Sequence, residues 1–211
     1  MFQDSPVFSI LSFGIAAYLF YMWYGDYRHF SKTGAFRKGA FAGATTAPTK
    51  LIYIAVVSAL ILLAIVSFAE KITGASGEQT SVAPFALISW IGAGFVEELI
   101  FRGYLVVENK GKAILLMSVF FFSLIFALGH PFLWDYTVEN GASILSGVWK
   151  FNPTLQAMIA TLSVFACSLL FYSLRFLPMN KNRSILPCIS AHVAYNCGVF
   201  ATKLVQGFVQ W

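Results

Sequence analysis

The sequence predicts an all-α fold, a polytopic bundle of about six transmembrane helices, or seven to eight if short or re-entrant pieces are counted. Three observations carry that prediction. Of the 211 residues, 58% are hydrophobic and the mean hydropathy is +0.74, well beyond the roughly 45–50% apolar content of soluble domains. The apolar residues fall in runs near the ~20 that cross a bilayer. Only 11% of residues are charged, and the basic ones gather in short segments between runs, "YRHFSKTGAFRKGAF" being the densest, as juxtamembrane charges do. With no linker, low-complexity tract or internal repeat, the chain reads as a single integral-membrane domain over residues 1–211.

The expected spans are Val7–Tyr24, Leu51–Ala69, Val82–Phe101, Ala113–Trp134, Leu155–Leu174 and Ile185 to about Ala201. The first lacks a basic leader and a small-x-small cleavage site, so it is expected to be an anchor rather than a removed signal peptide. In the third, the polar stop "ENKGK" begins only at Glu108 and Gly111 suits a helix end. That helix should therefore run to about Val107, roughly 39 Å long and tilted or bent within a ~30 Å core. Ala142–Trp149 is apolar but too short to cross, and is expected to be re-entrant, interfacial, or the start of a longer fifth helix interrupted at Pro153.

Charge placement orients the bundle. With the N-terminus outside, the inner connections hold Arg28, Lys32, Arg37, Lys38, Lys50, Lys110, Lys112, Arg175, Lys181 and Arg183, against Lys71, Lys150 and Lys203 outside. The net charge of +5 thus belongs to membrane edges, and no nucleic-acid partner is expected. Cys167, Cys188 and Cys197 lie in apolar runs without CxxC spacing, which favours buried small hydrophobes over a disulfide framework or zinc knuckle.

Ionisable groups at membrane depth cost at least about 2.5–3.5 kcal/mol on insertion scales and are functional candidates by default. Glu97, Glu98 and Arg102 in "GFVEELIFRGYL" are such groups. Glu98 and Arg102 stand four residues apart, the favourable order for an ion pair on one helix face. Glu97, about 100° around the helix, remains available as a general base on water if a histidine lies nearby. His192 and Asn196 in "SAHVAYN" also stand four apart and could offer two donors to one oxyanion. His130 follows in "FALGHP"; two of the chain's three histidines therefore lie in apolar spans. The duller readings are a Glu–Arg tether between helices, a hydrogen-bonded core histidine and an Asn that joins helices.

The segments "EELIFR", "FALGH" and "HVAYN" resemble, in order, the EExxxR, FxxxH and HxxxN motifs of the CAAX-protease and bacteriocin-processing family of intramembrane glutamic endopeptidases, also called the ABI family. The resemblance covers about Val82 to Asn196, and a family-like core is expected over about residues 82–200. It implies that Glu97 and His130 activate a water for attack on a peptide carbonyl and that His192 and Asn196 stabilise the oxyanion. Glu98, Arg102 and the motif's Phe126 would support the site.

The leading expectation is therefore an intramembrane endopeptidase that needs no cofactor or metal. It would act on a membrane-anchored protein or peptide in the lipid bilayer of a prokaryotic cytoplasmic membrane, from the cytoplasmic side. Two alternatives stand beside it. One is a zinc-dependent membrane protease with Glu97, His130 and His192 as ligands, although no HExxH is present. The other is a non-catalytic immunity or assembly factor that keeps the polar core for structure. Oligomeric state and substrate identity are not legible in the chain.

Overall fold

The computed structural model describes residues 6–138, 143 and 146–211, and each of the six apolar runs holds one helix. These are α1 (Pro6–Thr33), α2 (Thr49–Thr73), α3 (Ala86–Glu97), α4 (Lys112–Leu128), α5 (Leu155–Phe176) and α6 (Leu186–Val205). Local chemistry explains several ends. Gly74 takes φ +78° to close α2, the Thr154 hydroxyl accepts the Ala157 N–H at 3.1 Å to open α5, and Pro187 occupies the first turn of α6.

Three sequence expectations need correction. The fourth run stops at Leu128, not Trp134: Pro131 disfavours helical backbone at His130, which is extended at φ −83°, ψ 128°. The third run is regular only to Glu97. Glu98–Tyr104 continues as a π-helix, closed by Leu105 N–H donating to Ile100 O at 2.9 Å, so the helix ends short of Val107. The fold is also not purely helical. β1 (Trp134–Thr137) and β2 (Val148–Phe151) form an antiparallel pair that sets Trp134 opposite Phe151 and Tyr136 opposite Trp149. The end of Ala142–Trp149 is thus strand rather than a re-entrant piece; residues 142, 144 and 145 lie outside the described residues.

α6 is the hub: α2, α5 and α3 all pack on it, while α1 flanks α3 and α4 flanks α5. One core cluster joins Leu51, Ala55 and Ala59 of α2 to Cys188, Ala191 and Tyr195 of α6 and to Phe171 of α5. A second joins Trp23, Phe95, Leu99 and Ile185. The connections sort to two ends. At one end Ile185 N–H donates to Gly43 O and Arg175 pairs with Glu108; at the other Val82 bridges Val209, and Gln79 and Gln156 both donate to Glu70.

α2 and α5 are long and apolar enough to cross a membrane. Only 17% of the most apolar stretch of α2 is buried within the chain. Its face carrying Tyr53, Val57, Ile61, Ile65 and Phe68 is exposed, which a soluble core helix would not tolerate and lipid would.

Candidate active site at the paired glutamates

The α-to-π switch falls at the Glu97–Glu98 junction, and the side chains around it come from α3, α4, α5 and α6. Glu98 and Arg102 are each 0% exposed and paired at 3.1 Å between Oε1 and Nη1, as the spacing predicted. Four ring systems surround the guanidinium: Phe126 at 4.6 Å, Tyr172 at 4.9 Å, Phe171 at 5.2 Å and Phe101 at 5.9 Å from its central carbon. Arg102 Nη2 donates to Ser168 Oγ at 2.7 Å, and that hydroxyl donates to Ser123 Oγ at 3.0 Å. One buried cation therefore ties α4 and α5 to the π segment. Tyr172 adds a second tie, its hydroxyl lying 2.8 Å from Phe101 O and 2.7 Å from Leu105 O.

His192 sits between the two glutamates. Its Nδ1 is 2.8 Å from Glu98 Oε1 and its Nε2 is 3.7 Å from Glu97 Oε2. The ring also lies tilted on Phe171, with centroids 5.1 Å apart. Room for it comes from Gly94, where a Cβ would stand 3.3 Å from the imidazole. The Glu97 side chain is 30% exposed while that of Glu98 is fully buried, so two adjacent carboxylates occupy different environments. Burial fixes one as a partner for Arg102 and His192; exposure leaves the other accessible to water.

Asn196 lies one turn beyond His192, and its Nδ2 donates to Trp90 O at 3.1 Å, leaving its second N–H uncommitted by that bond. His130 stands just past α4. Its Nδ1 is 2.8 Å from Phe126 O, and because a carbonyl only accepts, that nitrogen carries the proton and Nε2 keeps its lone pair as a potential base. Phe126 links the sites: its ring centre is 4.9 Å from His130 and 6.4 Å from His192. Among the described residues His130 makes no hydrogen bond or ion pair with Glu97.

The predicted residues thus gather as Glu97, Glu98, Arg102 and His192 in contact, with Phe126 and His130 adjoining and Asn196 one turn away. Sequence reasoning missed Gly94, Trp90, Ser123, Ser168, Phe171 and Tyr172. Ser168 and Tyr172 stand one helical turn apart on α5, a spacing that offered a signal; the glycine offered none. Among the described residues, no three His, Cys, Asp or Glu side chains converge as a metal site.

A family model described as type II CAAX prenyl endopeptidase Rce1-like matches residues 79–198, more than half of the chain and all three motifs. No curated protein and no solved structure matches the chain.

Proposed function

The chain belongs to the Rce1-like type II CAAX prenyl endopeptidases, a family of membrane proteases, and from that premise we propose that it is an intramembrane endopeptidase of the glutamate type. Its six helices would all span, as one domain, with the substrate a protein or peptide held in the bilayer. The observation that carries the reading is His192, 3.7 Å from the accessible Glu97 and 2.8 Å from the buried Glu98.

In this mechanism Glu97, assisted by His130, takes a proton from a water as the water oxygen bonds to the scissile carbonyl carbon. The oxyanion that forms accepts from His192 Nε2 and Asn196 Nδ2. Proton return to the leaving nitrogen accompanies C–N cleavage and releases an acid and an amine. Because Nδ1 already donates to Glu98, His192 must carry a second proton to donate at Nε2. The charges then balance: Arg102 and His192 are cationic, Glu97 and Glu98 anionic. Glu98 and Arg102 act by holding His192 in place, and Phe126 by filling the space between the histidines.

Cytoplasmic access fits the basic bias of the connections at one end, and a prokaryotic cytoplasmic membrane remains the expected setting. The test is cleavage of a membrane-anchored substrate, found by comparing membrane peptides from cells with and without the protein, by purified wild type and by Glu97→Gln in a chelator. Cleavage by wild type alone supports the glutamate mechanism. Equal cleavage by both removes Glu97 as the base; loss of wild-type cleavage in chelator favours a zinc protease; and a Glu97→Gln protein that keeps the cellular effect favours a non-catalytic immunity or assembly factor.

A further inference from the structure

A cavity of about 440 Å³ opens away from the glutamates, where the α1–α2, α3–α4 and α5–α6 connections meet. Neither Glu97, His130, His192 nor Asn196 lines it. Its polar walls are Arg175, Lys181 and Arg183 against a lone carboxylate, Glu108, and its apolar wall includes Phe30 and Phe36. We propose that this cavity binds the phosphate headgroup of an anionic phospholipid.

The charge is available. Three cations face one anion, and Glu108 is already committed to Arg175 at 2.6 Å. Lys181 and Arg183 are exposed and have no carboxylate partner among the described residues. Arg183 is held at the rim by the Phe176 ring, 5.1 Å from its guanidinium carbon. Arg175 is only 5% exposed; its Nη1 donates to Gly103 O and its Nη2 to Glu108, yet its buried Nε has no acceptor. A buried donor without a partner is unfavourable unless a ligand oxygen meets it.

The walls are built rather than draped. Ile185 N–H donates to Gly43 O at 3.1 Å, Thr45 Oγ1 to Asn182 O at 3.0 Å and Ser184 Oγ to Thr45 O at 2.6 Å. Gly43 itself needs its φ of +68°, and a Cβ there would meet the Ile185 side chain at 2.5 Å. A preformed cavity of this size falls within the roughly 300–1,000 Å³ of small-ligand sites.

Two features select a lipid over a soluble anion. The cations adjoin an aromatic wall, Phe30 and Phe36 lying 5.0 Å apart with Phe36 61% exposed, which suits the glycerol and first acyl carbons of an amphipathic ligand. The cavity also sits at the end of α5, one of the two helices long and apolar enough to cross, where lipid phosphates would stand with α5 spanning the bilayer. The inference needs the chain to be in a bilayer, but not to be a protease.

The test is lipid retention by the full-length protein, read by native mass spectrometry, and thermal stabilisation in detergent titrated with phosphatidylglycerol, phosphatidylcholine or inorganic phosphate. Wild type should retain and be stabilised by phosphatidylglycerol over phosphatidylcholine. Lys181→Ala with Arg183→Ala removes two charge-assisted contacts to the phosphate and should weaken phosphatidylglycerol about thirtyfold. Lys110→Ala with Lys112→Ala, outside the cavity, removes the same charge without touching the phosphate and should weaken it by about fivefold at most. An equal loss in that control pair means diffuse surface attraction and overturns the site. Equal retention of both lipids overturns it as well, and stabilisation by inorganic phosphate matching phosphatidylglycerol makes the ligand a free anion and overturns the lipid assignment.

Discussion

Two seams run along α6, and they are built from opposite materials. Toward α2, Cys188, Ala191 and Tyr195 meet Leu51, Ala55 and Ala59, a contact of small and apolar groups. Toward α3 and the π segment, His192 and Asn196 reach Glu98, Glu97 and the Trp90 carbonyl. Ala191 and His192 are neighbours in the chain, about 100° apart around the helix, so one residue step changes the chemistry completely. Small residues let membrane helices approach and gain dispersion without directional demands. The polar seam has directional demands at every atom, and it is held to position by a buried cation that the apolar seam has no need of. The lesson is that the apolar seam fixes where α6 lies, and the polar seam uses that placement.

The sharpest way to separate the seams is Glu97→Gln. Removing a positioned base should cut cleavage by about 10²–10⁴-fold, while the unfolding midpoint in detergent stays near wild type because the side chain is 30% exposed. A large fall in midpoint would mean that Glu97 is structural and that the polar seam has no free member. Next is Arg102→Met, which strands the fully buried Glu98 and should cost about 3–5 kcal/mol in thermal unfolding. Adding Glu98→Gln should restore most of that stability but not cleavage, since His192 then lacks its anionic partner.

A subtler probe is Gly94→Ala. Its Cβ would stand 3.3 Å from the His192 ring, close enough to push the imidazole by a few tenths of an ångström. Cleavage should fall by about tenfold with stability little changed, since small displacements of reacting groups are costly. The smallest effect is expected from the matching change on the apolar seam, Gly198→Ala. There the Cβ would run into Leu63 Cδ2, a movable side-chain end. Stability should stay within about 1 kcal/mol, because Leu63 can turn to another rotamer and Ala regains helix propensity. If Gly198→Ala proved as damaging to cleavage as Gly94→Ala, the division of labour between the seams would be wrong.

The two seams also differ in how far they could be read from the chain. Apolar runs reveal helices by length, so all six were legible, and the Glu98–Arg102 pair followed from spacing within one helix. Contacts between helices carry no such spacing rule. His192 was expected to face an oxyanion; that its other nitrogen rests on Glu98 depends on how α6 packs against α3. The hairpin escaped because "VWKF", three apolar residues and one lysine, shows no period-two alternation, although "WDYT" does, and the cross-strand partners lie 11 to 17 residues apart in sequence. The end of α4 could have been read more closely, since Pro131 announces it. The π turn had no sequence signature.

That turn has a consequence for chain length. With Leu105 bonded back five residues to Ile100, the segment holds one residue more than regular helical bonding would seat. Most point changes here leave the count intact. A single-residue deletion between Glu98 and Arg102 would let the backbone relax into ordinary α-helix, yet it would change the spacing of the ion pair from four residues to three, and with it the reach of the arginine to Glu98, Ser168 and the rings that hold it. The stretch is therefore more sensitive to the number of its residues than to the identity of several of them, so Ile100 and Phe101 count first as spacers and only then as side chains.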